Sequence, residues 1–247
     1  MEMQVYSSTP QIGQRAPDFT AITTFGEMKL SDYKGKWIVL FSHPADFTPV
    51  CTTEFIAFAR YFPMFVERNT VLVGLSIDSV YSHLAWVYNI FKTTGIEIPF
   101  PVIADLDMKV SKLYGMISPA VSDTSTIRSV FIIDDNQIIR AILKYPLTTG
   151  RCIPEILRII DALQTHDTDK VNTPANWFPG QPVIVPPPKT YKELKERVEN
   201  PQSQGINCID WYICFKPDTK QLPFDQNIMK HIEPAANETT IVQPENN

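Results

Sequence analysis

From residue 37 to residue 165 the chain alternates short apolar runs with stretches whose apolar residues return every three or four positions. Residues 37–41, Trp-Ile-Val-Leu-Phe, read as a buried strand, and Phe55, Phe58, Ala59, Phe62 and Phe65 then recur at helical spacing. Pro63 lies inside that helical pattern and predicts a kink. Residues 71–77 form another apolar run, after which Asp78 or Ser79 can cap a helix carrying Leu84, Val87 and Phe91. A short strand at 101–104 and a helix around 109–114 follow. Residues 129–133 and 138–143 flank Asp134-Asp135-Asn136-Gln137, which predicts a β-hairpin. Ile153, Ile156, Leu157, Ile160 and Leu163 predict an amphipathic closing helix. Strands and helices in this order define an α/β layered fold, because each apolar face must be covered by a neighbouring layer.

The first switch from strand to helix runs through Ser42-His43-Pro44-Ala45-Asp46-Phe47-Thr48-Pro49-Val50-Cys51-Thr52-Thr53-Glu54. A helix starting near Pro49 puts Cys51 in its first turn. Free backbone N–H groups and the positive end of the helix dipole favour an anion there. The thiolate is the nucleophilic form of cysteine, so the position predicts a reactive sulfur. The bland alternative for a single cysteine is a small buried hydrophobe.

Net charge is −5, and no run of basic residues forms a phosphate-binding stripe, so nucleic acid is not a predicted partner. The polar first ten residues lack the apolar core of a signal peptide, and no stretch reaches the ~18 apolar residues of a membrane span. The expectation is a cytoplasmic protein without membrane contact. Four cysteines are too few for a disulfide scaffold, so thiols at motif positions are expected to be catalytic or metal-binding rather than structural.

Pro44, Thr48 and Cys51 keep the spacing Pro-x-x-x-Thr-x-x-Cys, with His43 before it and Thr52-Thr53-Glu54 after it. This segment resembles the active-site motif of the peroxiredoxins, the thiol-dependent peroxidases, in their 1-Cys or peroxiredoxin-6-like branch. Thr126-Ile127-Arg128-Ser129 resembles the segment that carries the family's active-site arginine, and Thr148-Thr149-Gly150-Arg151 one that carries a second arginine near the pocket. The resemblance implies a thioredoxin-like sheet with helices on both faces over residues 1–165. In that reading Cys51 attacks a peroxide, and Arg128 lowers the thiol pKa and hydrogen-bonds the peroxide oxygens. Thr48 orients the peroxide, Pro44 covers the thiolate, Glu54 holds the plane of Arg128, and His43 and Arg151 border the pocket. Each residue also has a plainer reading: Arg128 as a solvated arginine, Thr48 as a helix cap, Pro44 as a turn residue, Glu54 as a first-turn carboxylate, and His43 as a structural histidine. The resemblance implies no cofactor: no flavin, haem or metal. It also implies a thioredoxin- or glutaredoxin-like dithiol as reductant, and homodimers that assemble into a ring, commonly a decamer.

The composition changes after about residue 165: 11 of the 21 prolines fall between residues 170 and 247. Residues 183–188 read as extended, 191–198 as one short helix, and the residues from about 234 as a polar tail. No separate core is evident, so 166–247 is expected to be an arm that mediates dimerisation. Cys208 and Cys214 have five residues between them, unlike a Cys-x-x-Cys redox motif, and only His231 lies nearby as a further zinc ligand. Over nearly its full length the chain resembles archaeal thioredoxin peroxidases that carry such a pair. A sulfenic acid needs a second thiol, so Cys214 of a neighbouring subunit is expected to attack oxidised Cys51 and Cys208 then to exchange with it; in the plainer reading both are packing residues beside Trp211 and Tyr212, and an external thiol resolves Cys51 directly. Cys152 matches nothing in the family and reads as a buried or half-buried thiol. Two other classes compete. A thiol–disulfide oxidoreductase requires Cys-x-x-Cys where this chain has Cys51-Thr52-Thr53-Glu54. A ring-forming holdase chaperone requires a function that survives loss of Cys51.

Overall fold

The structure, a computed structural model, describes residues 9–200 and 205–218. These form two compact units, one up to Ile153 and one from Pro154 onward. The first unit contains strands β1 (Thr20–Thr23), β2 (Gly26–Lys29), β3 (Trp37–Ser42), β4 (Thr70–Ser76), β5 (Val102–Ala104), β6 (Ile117–Ser118), β7 (Ser122–Thr126), β8 (Arg128–Ile133) and β9 (Ile139–Tyr145). Its helices are α1 (Pro49–Glu67), α2 (Val80–Thr94) and α3 (Lys109–Leu113).

Seven strands form one sheet in the order β2-β1-β5-β4-β3-β8-β9. β3 lies parallel to β4 and antiparallel to β8, and every residue of β3 is buried. Such a strand is covered on both faces, which is why it reads as an unbroken apolar run rather than an alternating one. One face carries Leu40, Val73, Leu75, Phe131 and Ile133, packed with Tyr114. The Tyr114 hydroxyl donates to the Pro17 carbonyl at 2.7 Å, so its polar end is satisfied in the core. Phe41 stacks on Phe58 of α1 with ring centroids 4.2 Å apart and meets Phe55 edge-on at 5.7 Å. Gly74 permits this closeness: a Cβ there would lie 3.2 Å from the Phe55 ring.

The helix after the 71–77 run starts where the capping argument puts it: Ser79 accepts from the Ser82 amide. Its buried face differs from the expected one. His83, Trp86 and Ile90 are buried, whereas Leu84 and Phe91 are exposed. Two stripes at helical spacing compete here, and the one containing Trp86 and a hydrogen-bonded histidine goes inside. α1 continues past Pro63 to Glu67. The β8–β9 hairpin follows the sequence expectation. The β1–β2 hairpin was not anticipated, because only Thr23 and Met28 of its eight residues are buried and its apolar signal is weak.

The second unit holds most of α4 (Ile153–Asp169), then β10 (Val183–Val185), α5 (Tyr191–Glu199), β11 (Asn207–Asp210) and β12 (Ile213–Lys216). Contrary to the expectation of an arm without a core, it has a three-stranded sheet in the order β10-β12-β11 and a small cluster of Val171, Trp177 and Val183 packed with Ala162. Trp177 anchors the cluster, and its indole N–H donates to the Gln181 carbonyl at 2.9 Å. α5 begins with a capping box, Thr190 and Glu193 each bonding the other's backbone N–H. The expected polar tail and His231 lie outside the described residues. Among the described residues no helix is long and apolar enough to cross a membrane.

Candidate active site

β3 delivers its C-terminal residues to a turn that Phe47 makes at φ 55°, an uncommon value outside glycine. Thr48 follows at the N-cap and Pro49 opens α1, where its missing N–H costs nothing. Cys51 therefore sits in the first turn. It is a free thiol with no exposed surface. Thr48 does not cap the helix with its side chain; its hydroxyl donates to the Ala45 carbonyl at 2.9 Å. Pro44 is half-buried in the same turn.

The structure brings Glu54, Arg128 and Arg151 together with Cys51. Arg128 Nη1 lies 3.3 Å from Cys51 Sγ and 2.8 Å from Glu54 Oε2. Arg128 Nε and Nη2 donate to the Leu147 carbonyl at 3.0 and 2.8 Å, which fixes the plane of the guanidinium. Arg151 Nη2 donates to Glu54 Oε2 at 2.6 Å, and its Nε and backbone N–H donate to Oε1 at 2.8 and 2.9 Å. Arg151 Nη1 donates to the Ser42 carbonyl at 2.9 Å, and its guanidinium carbon lies 5.1 Å from the Phe41 ring centroid. All three charged side chains are nearly inaccessible. Two cations face one carboxylate, so one positive charge is left over beside the sulfur.

His43 is fully buried behind this turn. Its ring lies 4.8 Å from that of Phe55, one helical turn after Cys51, and 5.0 Å from that of Trp86. Its Nε2 meets Asp46 Oδ1 at 3.0 Å, and His83 Nδ1 meets Asp46 Oδ2 at 2.8 Å. Asp46 and His83 were not singled out from the sequence. An aspartate in the motif turn and a histidine on the second helix gave no local sign that they would meet. Their ligand-type atoms and that of His43 lie within 4.8 Å of one another. The 2.8–3.0 Å separations are hydrogen bonds, and a zinc ion with bonds of about 2.0–2.2 Å would have to spread the three groups apart.

In the second unit Cys208 and Cys214 stand opposite each other on β11 and β12 and form a disulfide. Cys208 is exposed and Cys214 is buried. Cys152 is exposed, not buried or half-buried as expected, and it is free.

A mixed sheet of this order, with a free thiol where an interior strand enters a helix, has thioredoxin-like architecture and places a cysteine for redox chemistry. Residues 12–142 match the AhpC/TSA family, and residues 162–200 match the C-terminal domain of 1-Cys peroxiredoxin. Peroxiredoxin 2 of Caldanaerobacter subterraneus subsp. tengcongensis is 68% identical over 207 residues, covering 84% of this chain and 93% of that protein. A peroxiredoxin of Methanosarcina mazei is 53% identical over 219 residues, covering 86% and 100%. Among solved structures, a yeast mitochondrial 1-Cys peroxiredoxin studied for thiol resolution via glutathione/thioredoxin systems matches with a TM-score of 0.74 and 42% identity, covering 84% of this chain and 99% of its own. A mutant of the peroxiredoxin 6 of Arenicola marina matches at 0.76 and 34%, covering 85% and 99%. The chain belongs to the AhpC/TSA family and is a peroxiredoxin, a thiol peroxidase.

Proposed function

We propose that Cys51 is the peroxidatic residue and that it works as a thiolate. The observation that carries this is Arg128 Nη1, 3.3 Å from Sγ and held by Glu54. The surplus positive charge of the Arg128–Glu54–Arg151 group stabilises an anion on sulfur in a site closed to water. The thiolate attacks one oxygen of a hydrogen or organic hydroperoxide and the O–O bond breaks. Water or an alcohol leaves after taking one proton, and Cys51 becomes a sulfenic acid. Thr48 orients the peroxide through its hydroxyl, and Pro44, which has no N–H, shields the sulfur. The guanidinium of Arg128 donates to the peroxide oxygens as charge develops on them. Arg128→Ala is expected to slow the reaction of Cys51 with hydrogen peroxide about a hundredfold, the scale of losing one preorganised donor. Stopped-flow fluorescence measures it, and a change below about threefold would remove Arg128 from the reaction.

Cys214 of a neighbouring subunit then resolves the sulfenic acid. Its thiol displaces water and forms a disulfide with Cys51; Cys208 attacks that disulfide, closing Cys208–Cys214 and freeing Cys51. The cross-strand placement of the pair supports this last exchange. A dithiol protein of thioredoxin or glutaredoxin type would reduce the pair from the side of Cys208, the exposed partner. The yeast relative's use of glutathione/thioredoxin systems supports that class of donor. Residues 166–247 serve dimerisation, and the dimers assemble into a ring, a decamer in the family's common form, in the cytoplasm. After one equivalent of peroxide, Cys208→Ser should accumulate a covalent dimer on non-reducing gels, and the further change Cys214→Ser should abolish it. Only monomers in Cys208→Ser, with Cys51 oxidised, would mean that an external thiol resolves Cys51 directly.

A further inference from the structure

Behind Cys51 lies a second buried polar group that the reaction above does not use. Asp46 accepts from three side chains. Its Oδ1 faces His43 Nε2 at 3.0 Å, and its two oxygens face His83 Nδ1 at 3.0 and 2.8 Å. Its Oδ2 also accepts from the Ser82 hydroxyl at 2.7 Å. Both imidazoles are wholly inaccessible and the carboxylate almost so. Ionised, Asp46 is an acceptor only, so each imidazole must present an N–H to it. One buried carboxylate balances one imidazolium, and a second buried cation would stand uncompensated.

The other nitrogen of each ring decides which histidine is charged. His83 Nε2 lies 3.1 Å from the Ile103 carbonyl, which can only accept, so that nitrogen also carries a hydrogen. His43 Nδ1 is buried with no hydrogen-bond partner among the described residues. A hydrogen there would be an orphaned donor, costing about 1–3 kcal/mol. We propose that His83 is the imidazolium that balances Asp46, and that the pair thereby holds His43 neutral as its Nε2–H tautomer, with Nδ1 kept as a bare acceptor. His83 and Asp46 are positioning residues that act through His43.

The surroundings agree. Burial and the charge of His83 lower the His43 pKa, outweighing the opposite pull of Asp46 and Asp78. Burial raises the Asp46 pKa, but the hydrogen bonds from His43 and His83 prevail and hold the carboxyl far below the usual range. Asp78 is itself engaged, accepting from the Asp46 backbone N–H at 3.1 Å and the Ser76 hydroxyl at 2.6 Å. α1 presents Phe55 to the His43 ring, with Cys51 one turn earlier and Glu54 already engaged by two arginines; α2 presents His83 and Trp86, and the β5 carbonyl of Ile103 faces His83. The positive charge at the thiol thus belongs to the arginines alone, and histidine titration is kept out of the site.

Neutron diffraction from crystals of the full chain at neutral pH tests the assignment. The expected result is deuterium on both nitrogens of His83 and on Nε2 alone of His43. Deuterium on His43 Nδ1, or on only one nitrogen of His83, overturns it. His83→Gln tests the consequence, which rests on Cys51 being the attacking thiol. Without its counter-cation Asp46 draws the proton onto His43. The ratio of variant to wild-type peroxide rate constants should then change with pH across the histidine range, about 5.5 to 8. A ratio constant over that range overturns the positioning role. A variant that fails to fold leaves the diffraction result decisive.

Discussion

Glu54→Gln is expected to lose about 3–5 kcal/mol of stability and to slow peroxide attack about a hundredfold. The glutamine has the same shape, but its amide can accept at only one end. The carboxylate accepts from Arg151 Nε and N–H at Oε1 and from Arg151 Nη2 and Arg128 Nη1 at Oε2. Whichever way the amide turns, its NH₂ faces donors, and two buried guanidiniums lose their only anion in this group. Removing one partner of a buried ion group costs more than the group contributes, because the remaining charges stay desolvated. Arg128 also loses one of its two anchors, the Leu147 carbonyl being the other, so stability and rate should fall together. Urea unfolding and stopped-flow reduction measure the two effects. A stability change below about 0.5 kcal/mol, the ordinary scale of a surface substitution, would show that Glu54 does not hold the arginines.

Much of this site lies in one local segment, which is why the sequence discloses it. Pro44, Thr48 and Cys51 fall within eight residues where an unbroken apolar run meets a helical pattern, and both signals are local. Arg128 and Arg151 are different. They reach Cys51 and Glu54 through the β3–β8 pairing and the chain beyond β9, so only their likeness to family segments marked them. Glu54 was visible as a neighbour of Cys51 on the helix, but not as the carboxylate that two arginines share. Asp46 and His83 left no mark, because their meaning arises from a contact 37 positions apart. The inward face of α2 was misread for the same reason: the burial of His83 is decided by Asp46, not by its hydropathy. Beyond residue 165, prolines and polar residues hide a core that needs only Val171, Trp177 and Val183 to form.

The largest effect on function is expected at Cys51 itself. Cys51→Ser exchanges one chalcogen for another inside the first turn of α1, with no change in branching, so the fold should persist. A serine hydroxyl at the same place is a far poorer nucleophile than a thiolate and cannot enter the sulfenic acid cycle. The loss should be complete rather than graded, because every later step begins from the oxidised sulfur. Competing readings separate here as well: a holdase function would survive the substitution, and a disulfide oxidoreductase would not consume peroxide in either form. The deciding measurement is peroxide consumption by wild type and Cys51→Ser under a regenerating dithiol donor, with circular dichroism to confirm that both are folded. Cys51 as the peroxidatic thiol predicts steady turnover in the wild type and only the donor's background rate in the variant. Turnover in a folded Cys51→Ser protein clearly above that background would contradict it.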